Sequence, residues 1–353
     1  MFSLSAYDYD LPENLIAQEP LEKRDESRLL FLNRDTGHLS HHRFRDIVDF
    51  MAPDDVLVIN NTEVIPGRLL GKKSTGGKIE VLLLNYTQDF KRFLKQGICV
   101  CDCLVKTSRP PVPGTLFYFE KGLKGEVLSG QQGLYTIQFS FKGDFESLLY
   151  KIGKVPLPPY IRRPTGDKGL NDKSTYQTVY ASQKGAIAAP TAGLHFTQSL
   201  LDRLKANSIK VVEITLHVGY GTFSPVRESD IRNHILHPES YYISVESADI
   251  INASKEKRSR IFAVGTTCVR SLEYASNDSG RILPGSGKCD LFIYPGYRFK
   301  VIDGMITNFH LPKSTLLMLV SAFVGIDRLM RAYREAIERK YRFYSYGDAM
   351  FIA

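Results

Sequence analysis

The sequence predicts a protein of the α/β and β classes, in which a small antiparallel β-barrel is inserted into a discontinuous mixed α/β domain. Two patterns in the 353 residues lead to this prediction. Between residues 67 and 154, short alternating runs are separated by Gly, Pro and Asn at close intervals, which is typical of small barrels. On both sides of that stretch, helix-length patterns alternate with strand-length patterns, which indicates a layered α/β domain.

The predicted boundaries are 67–154 for the barrel and 1–66 together with 155–353 for the α/β domain. The barrel runs are "GGKIEVLLL", "CDCLVKT", "TLFYFE" and "GLYTIQFSF". In the α/β part, "SLLDRLKAN" followed by "IKVVEITLHV" predicts a helix and then a strand, whereas "IFAVGTTCVRSLEYA" predicts a strand and then a helix. A chain of this length with 43% hydrophobic residues is ample for about two domains.

The net charge of +8 is concentrated in the predicted insert. Between Arg68 and Lys154, 14 Lys and Arg stand against 7 Asp and Glu, whereas the rest of the chain has 32 against 31. A basic barrel predicts an anionic polymer as partner, because Lys and Arg contacts to phosphates supply the sequence-independent part of nucleic-acid binding. The alternative is a solvated surface that only keeps the protein soluble.

Neither a membrane span nor a secretion signal is predicted. The longest apolar runs, such as "TLLMLVSAFVGI", are shorter than the roughly 18 residues that a membrane helix needs. Met1 leads into no basic and apolar signal region. We therefore expect a soluble, intracellular protein.

Three of the five cysteines alternate in "ICVCDCLV". In a strand, this spacing places Cys99, Cys101 and Cys103 on one face. The Cys-x-x-Cys spacing of thiolate metal sites is missing, so the pattern predicts buried thiols rather than a metal site or a disulfide framework.

Three histidines occur in segments rich in glycine, proline and threonine. These are "AAPTAGLHFT" with His195, "TLHVGYGTF" with His217 and "TNFHLPKST" with His310. Small residues let a ligand approach the backbone and imidazole titrates near neutral pH, so the three are candidate general acids and bases. Taken singly, each is more often a hydrogen-bonded structural histidine, and it is the occurrence of three in the same unusual context that makes at least one of them a candidate for catalysis. The small residues predicted to contact a substrate are Thr191, Gly193, Gly219, Gly221 and Thr222.

A fourth motif, "AVGTTCVRSLE", predicts a strand that ends before Thr266 and Thr267 at the start of a helix. Such a turn directs unpaired N–H groups at whatever lies above it. Arg270, one turn into the helix, is predicted to grip a carboxylate or phosphate. The alternative is an ordinary capped turn between strand and helix. The chain has no phosphate-binding G-x-x-x-x-G-K-[ST] loop and no G-x-G-x-x-G that follows a strand and opens a helix.

Taken together, these motifs resemble the S-adenosylmethionine:tRNA ribosyltransferase-isomerase family of queuosine biosynthesis along almost the whole chain. The resemblance includes "YDYDLPENLIAQEPLEKRDESRLL", "NNTEVIPGRLLG", "PLPPYI", "YQTVYA", "LFIYPGYRFKVIDGMITNFHLPKSTLLMLVSAF" and "YRFYSYGDAMFI", besides the four motifs above. It implies transfer of the ribosyl group of S-adenosylmethionine to 7-aminomethyl-7-deazaguanine at the tRNA wobble position. The ribosyl group is then rearranged to an epoxycyclopentane, and adenine and methionine leave.

Such a reaction requires a general base, a general acid and a binding pocket that excludes water. We expect no metal or redox cofactor, and S-adenosylmethionine is a co-substrate. We predict that the "AAPTAGLHFT" segment holds S-adenosylmethionine or the reacting base, with His195 as proton carrier. Asp348 in "SYGDAMFI" is the next candidate for proton transfer. The basic residues predicted to contact tRNA are Arg68, Lys72, Lys73, Lys78, Arg162 and Arg163. A cytoplasmic monomer is expected.

The chain departs from the family pattern at a few positions. Glu63 stands where Arg or Lys is usual, Gly67 replaces a usual Ala, and Tyr220 stands between two glycines where a small or aliphatic residue is common. Two other functions stay open at this point. A non-catalytic tRNA-binding module would explain the basic barrel but not the histidine segments. An enzyme acting on a free nucleotide would explain those segments but not the localised charge.

Overall fold

The chain folds around one large sheet with a barrel attached to it. The computed structural model describes residues 2–84, 86, 97–163, 171–223 and 226–353, with only the backbone at 222 and 223. The large sheet contains β1 (Arg28–Leu32), β2 (Leu39–Arg43), β3 (Val56–Asn60), β12 (Lys210–Leu216), β13 (Glu239–Ile243), β14 (Ile261–Val264), β15 (Gly285–Cys289), β16 (Gly304–Asn308) and β17 (Ala349–Ile352).

The nine strands of this sheet lie in the order β15-β13-β12-β3-β14-β16-β17-β1-β2. The four central strands, β12, β3, β14 and β16, run parallel to one another. Every residue of β3 is buried, as expected for a parallel strand covered on both faces. Alternate residues contribute to two separate cores: Val58 packs on one face and Leu57 on the other.

Helices cover both faces of the sheet. They are α3 (Gln198–Ala206), α4 (Val245–Glu256), α5 (Gly265–Tyr274), α6 (Thr315–Val324) and α7 (Ile326–Glu338). Helices α4 to α7 contribute to the core that contains Val58, while α3 and the 3-10 segment Phe44–Phe50 contribute to the core that contains Leu57. In the part of the chain that the structure describes, no helix has both the length and the apolar character to cross a membrane.

The second body is a closed six-stranded antiparallel barrel in the order β10-β7-β6-β5-β8-β9. Its strands are β5 (Arg68–Lys73), β6 (Lys78–Leu83), β7 (Ile98–Thr107), β8 (Leu116–Tyr118), β9 (Lys124–Gln131) and β10 (Leu134–Ser140). Burial alternates along β7, and Cys99, Cys101 and Cys103 lie together in the barrel core, as the sequence predicted. Helix α1 (Phe145–Ile152) packs its apolar face against the same core.

The chain enters and leaves the barrel at one place. Arg68 and Lys154 form a β-bridge. Next to it, the backbone of Gly153 lies so close to Pro66 that a Cβ on Gly153 would come 2.0 Å from the Pro66 carbonyl oxygen. A short parallel pair, β4 (Thr62–Val64) with β11 (Gln183–Ala186), lies beside this junction, and α2 (Asp172–Thr175) follows the barrel in sequence.

Glu63 accepts a hydrogen bond of 2.6 Å from the Tyr150 hydroxyl, so this departure from the family pattern joins β4 to α1. The predicted fold class is confirmed. The domain boundaries 1–66, 67–154 and 155–353 stay predictions.

Candidate active site

The predicted motifs meet at one edge of the large sheet, where its central parallel strands end. The "GYG" segment follows β12, the Thr266–Thr267 turn follows β14, and His310 follows β16. The 3-10 segment Thr191–His195 contacts β16 at the same edge. The carboxyl edge of parallel strands is where ligands bind in open α/β sheets, so the fold brings the sequence-predicted groups to a suitable place.

Asn60, the last residue of β3, holds this edge together. Its fully buried amide donates to the Leu216 carbonyl at 2.9 Å and to Thr267 Oγ1 at 3.4 Å. The side-chain oxygen Oδ1 of Asn60 accepts hydrogen bonds from the backbone N–H groups of Leu216 at 3.0 Å and Thr62 at 3.2 Å. One side chain therefore connects β3, β12 and α5. A polar residue at the end of an apolar strand, in "VLVIN", was the sequence signal for this role.

A small cavity of about 40 Å³ lies where the loops converge. The predicted contact residues Thr191, Thr266 and Thr267 line it together with His310. Ligand pockets usually measure about 300–1,000 Å³, so this cavity admits only a small group in the present conformation. Gly193 does not line it. A Cβ on Gly193 would come 2.0 Å from the Tyr180 hydroxyl, so this glycine permits close packing.

His310 is buried beside the small cavity. Its Nε2 lies 2.7 Å from Thr307 Oγ1, and its backbone N–H donates to the Tyr333 hydroxyl at 2.8 Å. Burial lowers the pKa of His310 to about 3, so the imidazole is neutral at physiological pH. No described residue forms a hydrogen bond with its Nδ1.

His195 belongs to a continuous chain of buried hydrogen bonds. The Thr191 hydroxyl donates to Asn308 Oδ1 at 2.7 Å, and Asn308 Nδ2 donates to His195 Nε2 at 3.1 Å. His195 Nδ1 then lies 2.8 Å from the Ser27 hydroxyl, and the ring stacks on Phe44 at 5.0 Å. Because Nε2 accepts, the network assigns the proton to Nδ1.

Burial, and then the nearby positive charges of Arg342 and Arg24, lower the pKa of His195 to about 3. Both ring nitrogens are occupied by protein groups. The predicted role of His195 as proton carrier stays a prediction, and this geometry favours a positioning role for its segment.

A much larger cleft of about 980 Å³ opens between β12 and the outer strands β13 and β15. It exists because β12 and β13 pair only at Thr215–Tyr242 and Leu216–Tyr241, after which the strands separate. Its volume is that of a substrate pocket. Polar lining residues include Asn61, Gln183, Glu213, His217, Ser240 and Lys288.

His217 lies in this cleft, next to the barrel junction. Its Nδ1 lies 2.8 Å from the Thr62 hydroxyl, which itself donates to the Gln183 carbonyl at 3.4 Å. With that direction of donation, Nδ1 carries the proton and Nε2 keeps its lone pair. Burial, and then Lys288, lower the pKa of His217 to about 4.

Gly185 makes room for the His217 ring between the sheet and the barrel. A Cβ at this position would lie 2.7 Å from Cε1 of the ring and 2.9 Å from the Tyr86 carbonyl oxygen. The backbone of Gly185 has a φ of +153°, which L side chains rarely adopt. His217 is therefore the predicted histidine that lies in a cleft of substrate size.

The carboxylate that Arg270 grips in this structure is a protein group, Glu239. The other guanidinium nitrogens donate to the carbonyls of Leu291 at 3.0 Å and Cys289 at 3.2 Å. Glu239 also accepts the Gly219 N–H at 2.7 Å. Arg270 and Glu239 are both buried, so the predicted contact of Arg270 with a ligand carboxylate stays a prediction that this geometry does not favour.

Asp348 is likewise bound to protein groups. Its two oxygens accept the backbone N–H groups of Arg28 at 2.9 Å and Arg342 at 2.8 Å, besides Nε of Arg28. Gly221 lies against His237, where a Cβ would come within 2.9 Å of the histidine side chain. The Thr222 side chain lies outside the described residues.

The six predicted tRNA contacts differ in their charge environment. Arg68 pairs with Glu80 at 2.8 Å, Arg163 with Asp172 at 2.9 Å and Arg162 with Glu13 at 3.6 Å. Lys73 donates to the Arg109 carbonyl at 2.6 Å.

Lys72 and Lys78 are exposed cross-strand neighbours on β5 and β6. Neither forms an ion pair with any residue that the structure describes. Of the six basic residues, these two present the least compensated charge to an anionic partner.

Comparison with known proteins gives one consistent family along the chain. A family model described as queuosine biosynthesis protein matches residues 4–352. Two relatives named S-adenosylmethionine:tRNA ribosyltransferase-isomerase, from Syntrophotalea carbinolica and Geotalea uraniireducens, are 48% and 49% identical over 350 residues, or 99% of this chain and 99% of each relative. A solved structure of S-adenosylmethionine tRNA ribosyltransferase from Thermotoga maritima is 37% identical, with a TM-score of 0.54, and covers 99% of this chain and 100% of that one. The resemblance predicted from the motifs is confirmed.

The buried, neutral state of His195 predicts a pH-dependent stability. The unfolded histidine has a pKa near 6.5, so between that value and about 3 the unfolded chain binds a proton that the folded chain does not. The free energy of unfolding therefore falls as the pH is lowered through 6.5. In urea unfolding at pH 7.5 and 5.5, wild type should lose about 1.4 kcal/mol more than His195→Gln. Exposed His38→Gln should behave as wild type, and an equal loss in His195→Gln would contradict the assignment.

The Arg270–Glu239 pair predicts a large stability effect in the ligand-free protein. Arg270→Lys keeps the charge but loses the planar fork that reaches Glu239 and two carbonyls, so we expect the free energy of unfolding to fall by about 3 kcal/mol. Urea unfolding measures this effect. Arg281→Lys, in the exposed pair with Glu256, is the matched control and should change stability by about 0.5 kcal/mol or less. An unchanged free energy of unfolding in Arg270→Lys would contradict a structural role for this pair. The Arg270 guanidinium of the wild type would then be available for a ligand.

Proposed function

The chain belongs to the queuosine biosynthesis protein family, and from that premise we propose that the large cleft is the active site of an S-adenosylmethionine:tRNA ribosyltransferase-isomerase. The enzyme transfers the ribosyl group of S-adenosylmethionine to 7-aminomethyl-7-deazaguanine at the tRNA wobble position. It rearranges that group to an epoxycyclopentane and releases adenine and methionine. A non-catalytic tRNA-binding module, or an enzyme of free nucleotides, is not favoured, because relatives that match over 99% of their length are named for this transfer to tRNA.

One observation carries the choice of site: a cleft of substrate size, with a neutral histidine in it, lies beside the junction with the basic barrel. The cleft follows β12 from Val211 to His217, which corresponds to about 20 Å of extended chain. A cleft of this length and volume leaves room for S-adenosylmethionine together with the reacting base. The small cavity beside His310 is too small for the whole molecule in this conformation, and Thr191, Thr266 and Thr267 stay predicted contacts for one of its groups.

The first chemical demand of the reaction is removal of a proton from the carbon next to the sulfonium. A general base must be neutral at the working pH and must present a lone pair to the substrate. His217 lies in the cleft, burial keeps its ring neutral, and its Nδ1 is engaged by Thr62, which leaves the lone pair of Nε2 for the ligand. His217 is therefore proposed as the base that accepts this proton. His310, whose pKa is lowered to about 3, is neutral as well, and its catalytic role stays a prediction.

The barrel is proposed to hold the tRNA. Its basic surface includes Lys72 and Lys78, and its junction with the sheet adjoins His217 through Gly185 and Tyr86. A tRNA bound through phosphates on the barrel would direct its anticodon loop to the mouth of the cleft. The wobble base is unpaired in that loop, as recognition of single-stranded RNA requires.

Further properties follow from this chemistry and are proposed with it. Ribosyl transfer from a sulfonium needs acid and base groups but no metal or redox cofactor. The substrate tRNA points to a cytoplasmic enzyme, and a monomer is expected. S-adenosylmethionine and tRNA are the two partners proposed.

The reaction is tested by incubating the protein with S-adenosylmethionine and tRNA that carries the aminomethyl base, followed by mass analysis of the nucleosides. We expect the epoxide-containing nucleoside together with free adenine and methionine. tRNA with unmodified guanosine at the wobble position is the control and should give neither product. Absence of product from the modified tRNA, with an active relative as positive control, would contradict the proposed function.

Loss of the base predicts a kinetic defect in His217→Gln. Glutamine keeps a polar side chain but cannot take up the proton, so we expect single-turnover rates to fall by about 100-fold or more. The melting temperature and the affinity for S-adenosylmethionine should stay close to wild type. Remote His38→Gln should keep wild-type rates. A lowered melting temperature with near-normal turnover of the folded protein would instead indicate a structural role for His217.

The barrel charge predicts a change in salt dependence. The double variant Lys72→Ala/Lys78→Ala should bind tRNA more weakly and should flatten the plot of log affinity against log salt by about 0.7 to 0.9 for each phosphate that is no longer neutralised. Binding of S-adenosylmethionine should hardly change. The matched control is Lys205→Ala/Lys257→Ala, two exposed lysines at the opposite edge of the sheet. An unaltered slope for the barrel variant would show that these lysines only contact solvent.

A further inference from the structure

Glu213 is a charged residue in the middle of a central strand, between apolar Val212 and Ile214. In β12, "KVVEITL", it is the one position from 212 to 216 whose side chain is exposed, and it lines the large cleft. Residues two apart in a strand share a face, so Glu213, Thr215 and His217 project to the same side. A carboxylate and the proposed base are therefore aligned along one wall of the cleft.

Asn61 holds one oxygen of the Glu213 carboxylate, and Thr215 orients Asn61. The Thr215 hydroxyl donates to Asn61 Oδ1 at 2.7 Å, and this fixes which end of the amide is the donor. Asn61 Nδ2 then donates to Glu213 Oε2 at 2.9 Å. Thr215 is 5% exposed and Asn61 is 8% exposed, so the support for the carboxylate is buried while the carboxylate itself faces the cleft. Within the described parts of the chain, Oε1 of Glu213 forms no hydrogen bond.

An ionised carboxylate only accepts hydrogen bonds, so its ligand must present donors. Adjacent N–H donors are the best match, because two acceptor oxygens can then be used together. A guanine-type base carries such a pair on its pairing edge, at N1–H and the 2-amino group. The 7-substituent is at the other end of the bicyclic ring. On β12, Glu213 and His217 are separated by four residues, or about 13 Å of strand, which leaves room for a base between them.

We propose that Glu213, oriented by Asn61, recognises the N1–H and 2-amino donors of the tRNA base and so directs its 7-aminomethyl group towards the His217 end of the cleft. This inference rests on the proposed function. The anticodon base offers this edge because it is unpaired in the loop. A ribose hydroxyl pair of S-adenosylmethionine is the rival ligand for the same carboxylate, and a comparison of two RNA substrates separates the two.

The test compares two synthetic anticodon stem-loop RNAs, one with 7-aminomethyl-7-deazaguanine and one with the same base lacking its 2-amino group. Wild type should prefer the complete base by about 10- to 100-fold in kcat/KM. Glu213→Gln should lose a similar factor on the complete base and most of the preference, with the KM for S-adenosylmethionine unchanged. Glu246→Gln removes another exposed carboxylate of the same cleft, at the start of α4, and should keep the wild-type preference.

Three results would overturn the inference. An equal loss by Glu213→Gln on both RNAs, with a lowered melting temperature, would assign Glu213 a structural role. A raised KM for S-adenosylmethionine would assign the carboxylate to the ribose. A wild-type enzyme that converts both RNAs equally well would show that the 2-amino group is not recognised. Absence of any product from wild type on the complete base would instead contradict the proposed function itself.

Discussion

The buried ion pair between Arg270 and Glu239 fixes the outer wall of the large cleft, and the shape of the site depends on it. Strands β12 and β13 share only two residue pairs, so the backbone ladder alone does not hold β13 and β15 in place. Arg270 supplies a further connection from α5, through Glu239 on β13 and the Cys289 carbonyl on β15. Buried ion pairs contribute little to net stability compared with apolar pairs but are costly to break. The pair therefore acts here chiefly as a geometric constraint.

The three histidines in the glycine-, proline- and threonine-rich segments have different surroundings, and these surroundings determine which of them can contact a ligand. His195 and His310 are enclosed by hydrogen-bonded protein groups, whereas His217 lies in a cleft open to a ligand. Burial lowers the pKa of all three, so protonation state does not distinguish them. The distinction comes from the space beside each ring. His195 has protein partners on both ring nitrogens, His310 lies beside a cavity of about 40 Å³, and His217 lies in a cleft of about 980 Å³. Positioning and catalysis thus arise from the same kind of sequence motif.

Much of the fold was predictable because strand and helix periodicities are local. The alternation in β7 correctly predicted that Cys99, Cys101 and Cys103 share a buried face. The motifs with histidine and threonine did not by themselves predict that their loops lie at one edge of the sheet, which follows from the order of the parallel strands. Partnerships across the fold were not predictable. Nothing near Arg270 indicates that Glu239, on a different strand, takes its guanidinium. The sequence also does not reveal that β12 and β13 pair at only two positions and then separate to form the cleft. The signal for Glu213 was a charge between apolar Val212 and Ile214.

The adjacency of the two ends of the barrel segment bears on the order in which the chain folds. Strands β3 and β12 are neighbours in the sheet but are separated by roughly 150 residues in sequence, so their pairing closes a long loop. Once the barrel has formed, the bridge between Arg68 and Lys154 removes more than half of that separation. On the logarithmic dependence of closure entropy, this lowers the cost of pairing by about 0.7 kcal/mol. A barrel that forms first therefore makes the pairing of β3 with β12 less costly in chain entropy, although the barrel segment is what separates these two strands in sequence.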